Sequence, residues 1–271
     1  MSCRYHAEWF QLMKENQRRR WDFLNKDIVE RVLGDNPHYV RCVKENDNSG
    51  ICKQVHEFRK YVKDGVRPTK DSRIDYGETA YALWLLAIRL PGHALALHTR
   101  VNEFFKGSTY YQNGIAGFRQ FLYEVHGMCR LVEAGMGFVD LHGKEGEPDF
   151  LVTPDGNPFY LEIKMPVSNL KTCIDKAFEQ LRPGKRKRTA LLVGLDSVLQ
   201  SRGDGALSDQ LALAEAAVQG KSVVIVLEFP REGSIEGGVD VDFKFDKDRH
   251  DPAVLEAMRE VALRVPFPEG E

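Results

Sequence analysis

Three residues in this chain have the types and spacing to act on a phosphorylated substrate: Asp149, Glu162 and Lys164. They lie in Gly146-Glu147-Pro148-Asp149-Phe150-Leu151-Val152 and, after a turn, in Tyr160-Leu161-Glu162-Ile163-Lys164. Apolar and polar residues alternate in the second run, as in a half-buried strand. Thr153-Pro154-Asp155-Gly156-Asn157-Pro158 between the runs is turn-forming, because Pro presets φ, Gly accepts positive φ, and Asp and Asn bond their own backbone. Side chains alternate faces along a strand, so Glu162 and Lys164 point the same way. With Asp149 on the neighbouring strand, two carboxylates and one ammonium converge. Paired carboxylates bind a hard divalent cation through oxygen, and a lysine beside them can hold or help deprotonate a water there. Taken singly, each residue has a plainer explanation: Asp149 starts a strand, and Glu162 and Lys164 form a solvent-facing pair.

Elements that would position these residues surround them. Upstream, Phe121, Glu124, Val125, Met128, Leu131 and Val132 recur at three- and four-residue steps, which predicts a helix from Gly117 to about Ala134. Glu124 falls inside that apolar stripe, where a carboxylate needs a partner or a metal. Glu133 falls on the opposite face. Gly135 and Gly137 end the helix, and Phe138 to Leu141 reads as a short strand. Downstream, Ser168 or Asn169 caps a helix over Leu170 to Leu181, with Cys173, Ile174, Ala177, Phe178 and Leu181 on its apolar face. Lys176 and Gln180, four apart, share another face. The basic loop Lys185-Arg186-Lys187-Arg188 leads to a strand from Thr189 to Leu195. A helix over about Ser208 to Gln219 and a continuous apolar strand, Ser222 to Phe229, follow. Asp240, Asp242 and Asp246 alternate with Val241, Phe243 and Phe245, which reads as an amphipathic strand with an acidic solvent face.

The order αβββαβ, with Glu124 in the first helix, Pro148-Asp149, and Glu162-Ile163-Lys164, resembles the PD-(D/E)xK nuclease superfamily. The resemblance spans about residues 110 to 230. It implies an α/β fold, a restriction-endonuclease-like αβββαβ core with a mixed central sheet over residues 109–271, preceded by a helical accessory region over 1–108. It further implies that Asp149 and Glu162 ligate Mg²⁺ or Mn²⁺, with the Ile163 carbonyl as a backbone ligand and Glu124 direct or through water. Lys164 would position the attacking water, and Gln180 or Lys176 would join the site. The implied activity is that of a metal-dependent nuclease, an endonuclease acting on DNA in preference to RNA. The alternative is a non-catalytic nucleic-acid- or protein-binding module on the same fold.

Composition fits an enzyme of ordinary globular make-up: 271 residues, 42% hydrophobic and 29% charged, with net charge −2. The surface as a whole does not attract nucleic acid, so phosphate affinity must come from local patches. Lys176, Lys185, Arg186, Lys187 and Arg188 form one candidate, and Arg18-Arg19-Arg20 another. Five irregularly spaced cysteines without a Cys-x-x-Cys pair argue against zinc and a disulfide framework, and a cytoplasmic setting is expected. No charged-then-apolar segment opens the sequence. The apolar stretch Tyr81 to Val101 is broken by Arg89, Pro91, His93, His98 and Arg100, so two buried helices are expected there rather than a membrane span. The region before Tyr110 reads as helical, beginning with the stripe Trp21, Leu24, Ile28 and Val32, and is expected to select substrate or mediate homo-oligomer formation.

Overall fold

The computed structural model describes residues 115–264, apart from 142–143, 155, 167–168, 196–197, 200–205 and 231–238. The expected amino-terminal helices, the Arg18–Arg20 run, His93 and His98, Cys3, Cys42 and Cys52, and the turn and cap residues Asp155 and Ser168 lie outside the described residues. The chain divides into two compact units, Met1–Val125 and His126–Glu271.

Helix α1 (Ile115–Glu133) ends where its glycine allows a left-handed turn. Gly135 has φ 70°, its N–H donates to Val132 O at 2.9 Å, and the Met136 N–H donates to Leu131 O at 2.9 Å. These paired bonds satisfy carbonyls that the helix would otherwise leave open. Six strands follow: β1 (Gly137–Asp140), β2 (Phe150–Thr153), β3 (Phe159–Lys164), β4 (Thr189–Gly194), β5 (Val223–Pro230) and β6 (Val239–Phe245). They form one sheet in sequence order. The first three pair antiparallel, β3, β4 and β5 pair parallel, and β6 returns antiparallel to β5. The chain is therefore an α/β protein with a mixed open sheet.

Parallel neighbours need crossover connections. Helices α2 (Leu170–Leu181) and α3 (Ala206–Val218) supply them. Both pack on one face of the sheet, where Leu170, Ile174, Leu181, Ala214 and Val218 share a core with Leu191, Val193, Ile225 and Leu227. Alternation turns Ala190, Leu192, Val224, Val226 and Glu228 to the other face. Helix α4 (Pro252–Leu263) packs against β4 and β5 through Val254, Leu255, Met258 and Val261. The second half of α1 also reaches the sheet. At Gly127 an added Cβ would stand 2.3 Å from Ile163 Cδ1, so the missing side chain lets the helix close on β3. Arg130 forms a fully buried ion pair with Glu228 of β5. No helix among the described residues is long and apolar enough to cross a membrane.

Two features depart from the sequence reading. Helix α4 had no counterpart in it, although Asp251 accepts the Ala253 N–H at 2.9 Å and Pro252 opens the helix. An Asp-Pro start followed by a short apolar stripe is helix-forming. The acidic solvent face expected of Asp240, Asp242 and Asp246 does not form. All seven positions of β6 are half-buried, and Asp246 lies beyond the strand, accepting N–H groups from Gly220 at 2.6 Å and Asp248 at 2.9 Å. The reason is α3, which packs on β6: Lys244 there pairs with Asp242 at 3.1 Å and with Glu215 of α3 at 3.5 Å.

The buried Arg130–Glu228 pair gives a direct test of how α1 is fastened. Arg130→Met removes one partner of this buried pair and is expected to cost about 3–5 kcal/mol in urea unfolding, because breaking a buried pair exposes the desolvation cost of the charge that remains. Arg130→Met with Glu228→Met is expected to recover most of that loss.

Candidate metal and substrate site

The three residues that began the sequence argument meet at one end of the β2–β3 pair. Phe150 pairs with Leu161, which sets Asp149, just before β2, opposite the end of β3. The two carboxylates are tied by reciprocal bonds to backbone: the Asp149 N–H donates to Glu162 Oε2 at 2.9 Å, and the Ile163 N–H donates to Asp149 Oδ2 at 2.9 Å. Asp149 is 4% exposed and Glu162 fully buried. The Lys164 ammonium contacts Glu162 Oε1 and lies 3.8 Å from Asp149 Oδ2. Its side chain remains 23% exposed.

Two acidic groups and one ammonium in a buried place leave an excess of negative charge. The Glu162 carboxyl is pushed up to about 7, first by burial and then by the Asp149 charge, with Lys164 pulling the other way. A single cation, the lysine ammonium, is already shared by oxygens of both carboxylates, so the geometry suits a hard cation bound through oxygen. No set of three His, Cys, Asp or Glu side chains able to hold a metal occurs among the described residues. A cation held by this pair would need backbone or water as its further ligands, which Mg²⁺ accepts readily.

Backbone direction offers a candidate. Paired strand residues turn both N–H and C=O toward the same neighbour. Tyr160 donates its N–H to Arg188 O at 3.0 Å, on the β4 side, whereas Ile163 donates toward Asp149. The Ile163 carbonyl therefore faces the Asp149 side of β3.

The remaining candidates are placed as follows. Glu124 is buried at 2% exposure in α1, within the amino-terminal unit, and accepts from Gln120 Nε2 at 2.6 Å. Gln180 donates to the Glu147 carbonyl at 3.3 Å, two residues before Asp149. Lys176 is exposed on α2, as are Lys185 and Lys187 in the loop after it. Arg186 pairs with Glu147 at 2.8 Å, and Arg188 with Asp251 at 2.7 Å. Three neighbours of the site escaped the sequence reading. Cys173 of α2 feels the charges of Lys164, Glu162 and Lys176, and burial pushes its thiol up to about 11. Glu147 and Tyr160 both contact Arg186. Tyr160 was legible in principle, since it shares the face of Glu162 and Lys164 by period two.

No protein-family model matches this chain, and neither curated proteins nor solved structures show a match to it.

The raised Glu162 carboxyl makes stability depend on pH with a defined sign. Its value rises from 4.5 to about 7 on folding, so the stabilisation is present below 4.5 and is lost as pH rises through 7. The metal-free protein is expected to melt at progressively lower temperature across that window, with Glu162→Gln flattening the trend. Metal-induced stabilisation is expected to run the opposite way, growing as pH passes 7, because a cation needs the deprotonated pair.

Proposed function

We propose that this chain is a metal-dependent nuclease of the PD-(D/E)xK, restriction-endonuclease-like kind, hydrolysing phosphodiester bonds in nucleic acid, with DNA preferred. The observation that carries the reading is the buried Asp149–Glu162 pair, each carboxylate tied to backbone beside the other and both touching one lysine ammonium. The mixed sheet with β3 at its antiparallel-to-parallel junction also agrees with the αβββαβ core of that superfamily.

Asp149, Glu162 and the Ile163 carbonyl would hold one Mg²⁺ or Mn²⁺. Such an ion supplies Lewis acidity toward the phosphate and lowers the pKa of a nearby water. The residues of the chain do the rest. Asp149 and Glu162 keep their oxygens in place through the two backbone N–H bonds, so no reorganisation is needed when substrate arrives. Lys164, partly exposed beside both carboxylates, orients the attacking water and offsets charge growing on the phosphate oxygens. The water oxygen forms the new bond to phosphorus, one P–O ester bond breaks, and the products are a phosphomonoester and an alcohol. Exposed Lys176, Lys185 and Lys187 would meet backbone phosphates, a contribution that weakens with salt.

Three variants separate binding from chemistry. Asp149→Ala is expected to abolish the thermal shift caused by Mg²⁺ or Mn²⁺. Lys164→Ala is expected to keep that shift at pH 8 while cleavage of a labelled DNA falls by roughly a hundredfold or more. Lys176→Ala is expected to keep the shift and weaken DNA binding. Full cleavage by Lys164→Ala would remove this lysine from the chemistry, and a metal shift that survives Asp149→Ala would remove the site.

A further inference from the structure

Asp149 precedes the first paired residue of β2, and its backbone is bonded to the Leu141 N–H at 2.8 Å and to Glu162 Oε2 at 2.9 Å. The Gly146–Glu147 end of the segment is met in addition by the end of α2 and the basic loop. Helix α2 closes at Arg182, whose backbone is left-handed (φ 48°) and whose N–H donates to Phe178 O at 2.9 Å. A non-glycine residue is uncommon in that region. The reversal lets Arg186 come back under the helix end, its own N–H donating to Arg182 O at 2.9 Å.

The Arg186 guanidinium then meets three elements at once. Nη2 pairs with Glu147 Oε2 at 2.8 Å, Nη1 donates to the Gln180 carbonyl at 3.3 Å, and Cζ stands 4.0 Å from the centre of the Tyr160 ring. Glu147 lies two residues before Asp149, and Tyr160 lies two residues before Glu162 on the same face of β3. Gln180 adds a bond to the Glu147 carbonyl at 3.3 Å, and Arg182 reaches the Gly146 carbonyl at 3.5 Å. Arg186 is only 18% exposed at the side chain, unlike the exposed Lys185 and Lys187 on either side.

We infer that Arg186 is a positioning residue, clamping the Glu147–Asp149 segment to the Glu162 strand so that the two carboxylates keep their shared geometry. The inference rests on the metal-site reading above only for its consequence in metal affinity. A planar guanidinium can stack on a ring and bond in two directions at once, which a lysine cannot do, so arginine is the residue this place requires. Of the basic loop, Lys185 and Lys187 stay exposed, while Arg186 is turned to the Glu147 segment and Tyr160.

The test uses the full chain with Arg186→Met, Glu147→Gln and the double variant. Amide hydrogen exchange without metal is read at Asp149 and Ile163, the two N–H groups that bond the carboxylates, with the amides of α4 as internal reference. Mn²⁺ affinity and the salt dependence of DNA binding are measured in parallel. Both single variants are expected to speed exchange at Asp149 and Ile163 and to weaken Mn²⁺ binding by about tenfold or more, as residues that orient metal ligands do. The double variant is expected to be no worse than either single one, the α4 amides to stay protected, and the salt slope to stay unchanged. Unchanged exchange at Asp149 and Ile163 overturns the inference, as does equal acceleration in α4, which would make Arg186 a general structural residue. A flatter salt slope also overturns it, by placing Arg186 on a phosphate. If Arg186→Met does not fold, Glu147→Gln, which keeps the shape and removes the charge, decides the matter alone. A wild-type protein that binds no Mn²⁺ sinks the metal reading, while the exchange data still decide the positioning role.

Discussion

Two carboxylates held inside the protein within reach of each other are the constraint on which the rest of this structure depends. Asp149 and Glu162 are almost wholly withdrawn from bulk water, and the Asp149 charge raises the cost of charging Glu162. The protein offsets that cost locally: a backbone N–H for each carboxylate and one ammonium for both. Such an arrangement tolerates little slack, because a small displacement of either strand would leave a buried charge without its donor. The surrounding fold is a set of devices that prevent that displacement.

The central device is β3. It pairs antiparallel with β2 on one side and parallel with β4 on the other, so its N–H groups alternate between two neighbours. Ile163 turns its N–H to Asp149, and Tyr160 turns its N–H to Arg188 beside β4. A strand with a free edge could slide, but β3 is fixed from both edges. Its faces are covered as well. Gly127 lets α1 approach Ile163 on one face, and α2 covers the other, bringing Cys173 within the field of Glu162 and Lys164.

Charged residues elsewhere are largely used to fasten elements. The buried Arg130–Glu228 pair joins α1 to β5. Arg188 reaches Asp251, where burial opposes ionisation but the Arg188 bond and the helix-end amides prevail and hold the carboxyl below its usual range. That contact ties the entry to β4 to the start of α4. Asp246, beyond β6, receives two backbone N–H groups that draw its carboxyl down. A net charge of −2 therefore says little about the binding surface, because among the described residues Arg130, Arg186, Arg188 and Lys244 are engaged in ion pairs within the fold.

The sequence by itself determined the elements around the site and the residues within them. Period-two alternation set β3, its turn chemistry set the β2–β3 hairpin, and helical spacing after Ser168 or Asn169 set α2 at Leu170–Leu181, with the structure showing Asn169 as the cap. These are local properties, governed by backbone preference and by which face each side chain takes. Local pattern also placed Glu162 and Lys164 on one face. It could not decide what the basic loop touches, because Arg186 meets Glu147 across 39 residues and nothing in Lys185-Arg186-Lys187-Arg188 distinguishes an inward arginine from an outward one. It could not decide the β6 face either, since Asp242 looks solvent-facing until α3 covers the strand. Nor does spacing show that Glu228, inside an apolar run, has a buried arginine waiting for it on α1. Pairings between distant segments are chosen by packing of the whole sheet and its helices, and only the tertiary structure contains that choice.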